Sequence, residues 1–258
     1  ALPAGSAGRA VQQALLATLA PQWATWCALQ AAAAPEPVPL PVHLVLPDAW
    51  SDAPPASAAV GDQALVLSDQ ITGLSSNGTP GLLQWVSLEP GRLRHKDRSL
   101  RPRTLLGAWV RQLAAAAAGQ PVQAVLVAAD GVLRLAPPAP DDARQTLHSL
   151  LVLWRQNQDR PLPLPWTSAV LHAREAGEDR IAAAYDGDAW RPGERREPVL
   201  ARFWPDSAAL LADPAFDAVV AAVVHPLLAH LDTAAEFDAL PQGETPRAPR
   251  VPTGEEGA

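Results

Sequence analysis

The sequence predicts an α/β protein: a mixed central sheet flanked by helices. Three observations carry this. Two β-rich apolar runs, Gln63 to Leu74 and Leu82 to Leu88, flank the turn-forming segment Ser75-Ser-Asn-Gly-Thr-Pro-Gly81. A near-continuous apolar run, Val122-Gln-Ala-Val-Leu-Val-Ala128, reads as a strand buried on both faces. Between and after these lie segments whose apolar residues recur every three or four positions, the helical spacing. The order hairpin, helix, strand, helix gives a sheet of mixed direction.

In chain order, residues 9 to 31 place Val11, Leu15, Leu16, Leu19, Trp23, Trp26 and Cys27 on one face of an amphipathic helix, which Pro21 is expected to kink or split. Residues 34 to 60 are rich in Ala and Pro and read as a linker, with His43 to Leu46 as a short strand. The hairpin spans 62 to 93; Asn77-Gly78 tolerates positive φ and Pro80 withholds a ladder donor. Thr104 to Ala118 reads as a helix burying Leu105, Leu106, Trp109 and Leu113, with Gly119 as its stop. Gly131 to Leu135 is a short strand. Asp141 is the expected N-cap of a helix to about Gln158, with Leu147, Leu150, Leu151 and Trp154 inward.

Pro161-Leu-Pro-Leu-Pro165 reads as an extended arm. Helices are expected over Thr167 to Ala176 and Asp179 to Tyr185, then a polar loop from Asp186 to Pro198 and a strand over Val199 to Trp204. Phe216 to Leu231 is a helix with Phe216, Val219, Val220, Val223 and Leu227 inward, kinked by Pro226. Residues 233 to 258 are acidic and aperiodic and read as a disordered tail. The expected division is therefore a helix and linker over 1–60, a folded domain over 61–232, and the tail.

Hydrophobic residues make up 48% of the 258, enough for a substantial core. The net charge of −7 argues against a protein that coats nucleic acid everywhere, yet leaves room for a local basic strip. The single Cys27 excludes an internal disulfide and any cysteine-built zinc site, and fits a reducing cytoplasm. No apolar run approaches the roughly 20 residues of a membrane span, so no membrane is expected. The chain has no Met and reads as a piece of something longer.

Chemistry is sparse. A metal-dependent nuclease gathers carboxylates at one point, because Mg²⁺ takes oxygen ligands. The hairpin positions where they would stand hold Thr72, Gln84, Trp85 and Val86. Asp69 and Glu89 lie nearby and have two readings, displaced ligands or ordinary surface carboxylates. His225 and His230 are spaced i, i+5, unlike the i, i+4 pairs of zinc helices. His148 borders an apolar face, where a lone histidine is usually packed. Gly-rich phosphate loops and nucleophile elbows are missing, and no cofactor is expected. Trp109 and Trp154 read as core; Trp166 and Trp190 fit either core or interface. Glu194-Arg-Arg-Glu197 is charge-balanced and reads as a surface loop.

The strongest signal is Arg92-Leu-Arg-His-Lys-Asp-Arg-Ser-Leu-Arg-Pro-Arg103. It gathers Arg92, Arg94, Lys96, Arg98, Arg101 and Arg103, with His95 among them, against Asp97 alone. Such a strip suits a phosphate backbone, since each neutralised phosphate releases counterions. It equally suits a solvated loop that balances acidic partners.

The ordered set Leu105-Leu-Gly-Ala-Trp-Val-Arg-Gln-Leu113 after the basic run, Arg160-Pro-Leu-Pro-Leu-Pro-Trp-Thr-Ser-Ala169, and Ala189-Trp-Arg-Pro-Gly-Glu-Arg-Arg-Glu-Pro198 resembles the C-terminal domain of the RecC (gamma) subunit of the RecBCD exodeoxyribonuclease V complex. The resemblance covers about 62 to 231. It implies a restriction-endonuclease-like fold, a degenerate nuclease core whose ligand slots fall on Thr72, Gln84 and Val86. It implies partners: RecB-like and RecD-like subunits, and double-stranded or forked DNA. RecC-like subunits help split the duplex, scan the unwound strand for Chi, and scaffold the helicase-nuclease. The expectation is a non-catalytic, DNA-contacting scaffold in break repair and homologous recombination, contacting DNA through Arg92, Arg94, His95, Lys96, Arg98, Arg101 and Arg103. Its alternatives are a Mg²⁺-dependent nuclease with a displaced site and a pure protein-interaction scaffold.

Overall fold

A computed structural model describes residues 5–34, 39–46, 65–76, 78–188 and 190–240. Most of the expected linker, the first residues of the hairpin's leading strand, the turn residue Asn77, Ala189 and the tail from 241 onward lie outside the described residues.

The expected core is built as the spacing dictates. Strand β4 (Leu83–Leu88) pairs parallel with β5 (Val122–Ala128), and β6 (Gly131–Leu135) returns antiparallel to β5. Helix α2 (Pro102–Ala117) makes the crossover between the parallel strands that such pairing requires. It ends as a Gly stop predicts: Gly119 takes φ +86° and donates to the Ala116 carbonyl, while Gln120 donates to that of Ala115. Helix α3 (Pro140–Asp159) packs beside α2, and Leu105, Trp109, Leu113, Leu126, Leu133, Leu135 and Leu147 close the core between helices and sheet. Residues 161–165 are extended, as their prolines require.

The hairpin is corrected. Only β3 (Leu74–Ser76) pairs with β4, with Leu74 opposite Trp85. The chain breaks at Gly73, whose φ of +73° a strand does not hold. The longer upstream run, β2 (Leu65–Ile71), pairs instead with β1 (Leu40–Leu46) in a separate two-stranded antiparallel ribbon.

The expected tail also contributes to the fold. Ala235–Asp238 forms β7, antiparallel to β6, completing a five-stranded sheet ordered β3-β4-β5-β6-β7. Arg134 pairs with Asp238 across that ladder.

The N-terminal helix α1 (Gly5–Ala31) runs unbroken through Pro21. It covers the sheet face opposite α2. Trp26 and Leu29 pack on Val86, Val125, Val127 and Val132, and the Gln22 amide donates to the carbonyls of Glu89 (2.5 Å) and Val127 (3.1 Å). Of the expected apolar face, Trp26 meets the sheet, while Val11, Leu15, Leu16, Leu19 and Trp23 are 41–59% exposed.

The C-terminal part is a second helical layer. Helices α4 (Trp166–Ala173), α5 (Glu178–Asp186), α6 (Pro198–Phe203), α7 (Ser207–Leu211) and α8 (Pro214–Val219) surround Tyr185, Trp204, Leu210 and Phe216. The strand expected over Val199 to Trp204 is the helix α6, opened by Pro198 at its first position, where proline lacks nothing a helix needs. Asp141 is not the cap of α3: Ala139 stands there, Pro140 opens the helix, and Asp141 sits in the first turn.

Phe216, Val219, Val220, Val223 and Leu227 are all buried as expected. Pro226 is accommodated by a π-turn at Val220–Val224, where the His225 amide reaches back to the Val220 carbonyl, before α9 (His225–Ala234) resumes. The continuous stretch Pro214–Ala234 is, contrary to expectation, long and apolar enough to span a membrane, with mean hydropathy 1.5 over its best window. Its Val223, Val224, Leu227, Leu228 and Leu231 side chains are spent on the protein core, which is what a buried helix requires.

Candidate nucleic-acid interface

The basic run forms the loop between β4 and α2. It lies at the carboxyl ends of the two parallel strands, where α/β sheets commonly place ligands. Its frame is built from backbone bonds. Glu89 donates to the Val127 carbonyl (2.8 Å), Ala129 to that of Gly91 (3.1 Å), and Arg101 to that of Leu93 (2.8 Å). Leu93 is fully buried and anchors the loop in the core. From the β5–β6 turn, the Asp130 carboxylate accepts the Leu93 amide (2.9 Å) on one oxygen and the Arg94 amide (3.0 Å) on the other.

The tip is a tight turn. Arg94 bridges Leu100, His95 donates to the Ser99 carbonyl (2.8 Å), and Arg98 donates to that of His95 (3.1 Å). Arg98 takes φ +69°, uncommon for a residue with a side chain. The Ser99 hydroxyl (2.6 Å) and amide (3.0 Å) both donate to Asp97 and hold its carboxyl below the usual carboxylate range. The one acid of the 92–103 run is thus hydrogen-bonded within the turn.

The seven sequence-predicted residues separate into two groups. Arg92, His95, Lys96, Arg98 and Arg103 are exposed. Arg94 and Arg101 are half-buried. The Arg94 guanidinium lies 3.3 Å from the centre of the Phe237 ring on β7, a cation–π contact. Arg101 carries a buried Nε with no hydrogen-bond partner. These two serve the loop's packing, and the outward basic surface is the remaining five.

The positions where a nuclease would hold a metal are scattered. Thr72 lies outside both sheets, after β2. Gln84 and Val86 point to the α1 face: Gln84 is buried against the Ser75 hydroxyl (3.4 Å), and Val86 is buried under Trp26 and Leu29. Asp69 stands exposed on the two-stranded ribbon, while Glu89 follows β4 in the other sheet and accepts the Ser87 hydroxyl (3.0 Å). Among the described residues no three His, Cys, Asp or Glu side chains gather as a metal would need.

Elsewhere, His230 faces the buried Gln112, whose amide donates to the carbonyls of Val122, Leu135 and Ala136; burial pushes the His230 pKa down. His172 pairs with Asp217 at 2.9 Å. Trp154, expected in the core, is 59% exposed on the rim of an apolar groove of about 880 Å³ between the β1–β2 ribbon, α2 and α3. Glu194, expected as surface charge, turns inward. It accepts the amides of Thr167 (2.7 Å) and Ser168 (2.8 Å) and the Ser168 hydroxyl, capping α4. The sequence marked Glu194 only as charge, since its partners lie 26 and 27 residues upstream.

The fold and this loop define a mixed α/β domain with a basic surface at the sheet's carboxyl edge. The chain belongs to the RecC C-terminal domain family, whose profile matches residues 1–176. Membership implies a part in a RecBCD recombination and repair complex. The match begins at the first residue and includes α1, which the motif resemblance had left out; it ends before the Trp190 segment that the resemblance had included. Comparison with curated proteins gave no match.

Proposed function

We propose that the domain is a non-catalytic DNA-contacting scaffold of a RecBCD-type helicase-nuclease, with a degenerate nuclease-like core, acting in the cytoplasm. Duplex or forked DNA lies against Arg92, His95, Lys96, Arg98 and Arg103. The observation that carries this is the loop's construction. Its acid, Asp97, is hydrogen-bonded within the turn, its frame is pinned by Asp130, and five of its exposed side chains are basic against that one carboxylate. A fixed, predominantly basic surface is what phosphate binding rewards, because no ordering of the loop is needed on contact. The family match to the RecC C-terminal domain supports DNA as the partner. The exposed apolar side of α1 supports the scaffolding half of the reading, with RecB-like and RecD-like subunits as the partners.

The test is binding of a forked duplex to the R92Q/K96Q/R98Q variant at about 0.15 M salt. Affinity should fall at least about tenfold, since three phosphate contacts are removed. Equal affinity would contradict the proposal. Arg94 and Arg101 are excluded from this variant because their substitution would disturb the loop itself.

A further inference from the structure

We propose that Phe237 is a positioning residue for the DNA surface: strand β7 braces the Arg94 end of the basic loop, so the order of that loop depends on a strand far downstream in the chain. This rests on the reading of the loop as the DNA contact. Arg94 is held at both ends. Its amide donates to Asp130 (3.0 Å), and its guanidinium lies 3.3 Å from the centre of the Phe237 ring. The two holds meet at neighbouring residues of the β5–β6 turn. Gly131, next to Asp130, leaves open the space that the Phe237 ring fills; a Cβ there would strike both the ring and the Asp238 carbonyl. Phe237 stands opposite Leu133 and packs on the core that Leu93, the loop's anchor, also enters.

The kind of contact suits a basic surface. The acids of β7, Glu236 and Asp238, alternate to the strand's exposed face, and Asp238 pairs with Arg134. Arg94 therefore meets a ring and not a carboxylate. An ion pair would cancel its charge, whereas an aromatic face orients the guanidinium and leaves the loop's positive field intact. β7 has four residues and stands at the edge of the sheet. Such a strand opens more readily than the central ones. Its docking and the order of the loop are linked through one side-chain contact, and linkage runs in both directions. The family match ends at residue 176, so β7 lies beyond it and the match does not supply this brace.

The experiment measures amide exchange of the full chain, free and with a forked duplex. Phe237→Leu keeps apolar bulk but removes the ring. In the free chain it should quicken exchange of the Leu93 and Arg94 amides about fivefold, the weight of a partly exposed cation–π contact, while the β5 amides keep their rates. Phe237→Tyr, which retains a ring, should stay near wild type. Binding of forked duplex to the wild-type chain should slow exchange of the β7 amides, and Phe237→Leu should abolish that slowing. Phe237→Leu should also weaken forked-duplex affinity about two- to fivefold with an unchanged salt slope, since no phosphate contact is removed. In an Arg94→Gln background it should cost nothing further, because the contact is already gone. Unchanged Leu93 and Arg94 exchange in Phe237→Leu would overturn the proposal, as would equal losses of affinity in the two backgrounds. The free-chain rates decide the brace whether or not the duplex binds; a wild-type chain that fails to bind the duplex contradicts the DNA reading instead.

Discussion

Replacing Asp130 with Ala removes the clamp that fixes the basic loop. The carboxylate accepts two backbone amides, those of Leu93 and Arg94, at 2.9 and 3.0 Å. Hydrogen bonds to a charged acceptor contribute about 1.5–3 kcal/mol each, and the lower end applies here because the site is only partly buried and water can replace the acceptor. The loss should therefore be about 2–3 kcal/mol. At roughly 2–4 °C per kcal/mol for a domain of this size, the thermal midpoint should fall by about 5–10 °C. Asp130→Asn keeps one acceptor oxygen without the charge and should fall between the variant and wild type. Amide exchange reads the mechanism directly: the Leu93 and Arg94 amides should lose protection, while those of β5 keep theirs. Forked-DNA affinity should weaken as well, since the loop's basic side chains would no longer be held in place before contact. A midpoint within a degree of wild type, with both amides still protected, would refute the clamp and the claim that the loop is preformed.

Three further outcomes follow from buried polar groups. Gln112→Leu strips three carbonyls, those of Val122, Leu135 and Ala136, of their donor and should cost about 2–3 kcal/mol in urea unfolding. Burial lowers the His230 pKa, so the unfolded chain takes up a proton more readily than the folded one; stability should hold above about pH 6.5 and fall as pH drops below it, and His230→Gln should remove that component of the thermal midpoint's pH dependence. Glu194→Ala should cost about 1–2 kcal/mol by uncapping α4, seen as a lowered midpoint with the forked-DNA affinity unchanged.

The parts of the fold that were legible in the sequence are those whose partners are near in the chain or whose periodicity is strong. Helix α2 with its Gly119 stop, the buried run of β5, and the inward positions of α8 and α9 all follow from local chemistry. The hairpin was misread because its pairing is decided at a distance. Val66 and Leu67 match β1, and a single positive φ at Gly73 redirects the chain. The run after Pro198 is too short for composition to distinguish strand from helix. β7 has four residues and exists because the edge of β6 accepts it. The face that α1 buries is set by Gln22, Trp26 and Leu29 meeting the sheet, and no local pattern says which side of a largely apolar helix a sheet will meet.

The site shows the same division. Charge clustering identified the loop, but could not separate the basic side chains that face solvent from those that support it. Arg94 is withdrawn by Phe237, 143 residues away in the chain, and Arg101 by burial of its Nε.

The salt dependence of forked-DNA binding tests most directly whether this loop holds the DNA backbone. Measured by anisotropy across a range of KCl concentrations, the slope of log affinity against log salt should be shallower by about 2.7 for R92Q/K96Q/R98Q than for wild type, the value for three duplex phosphates released. Parallel lines for the two proteins would contradict the account, because the basic loop would then contribute no phosphate contact.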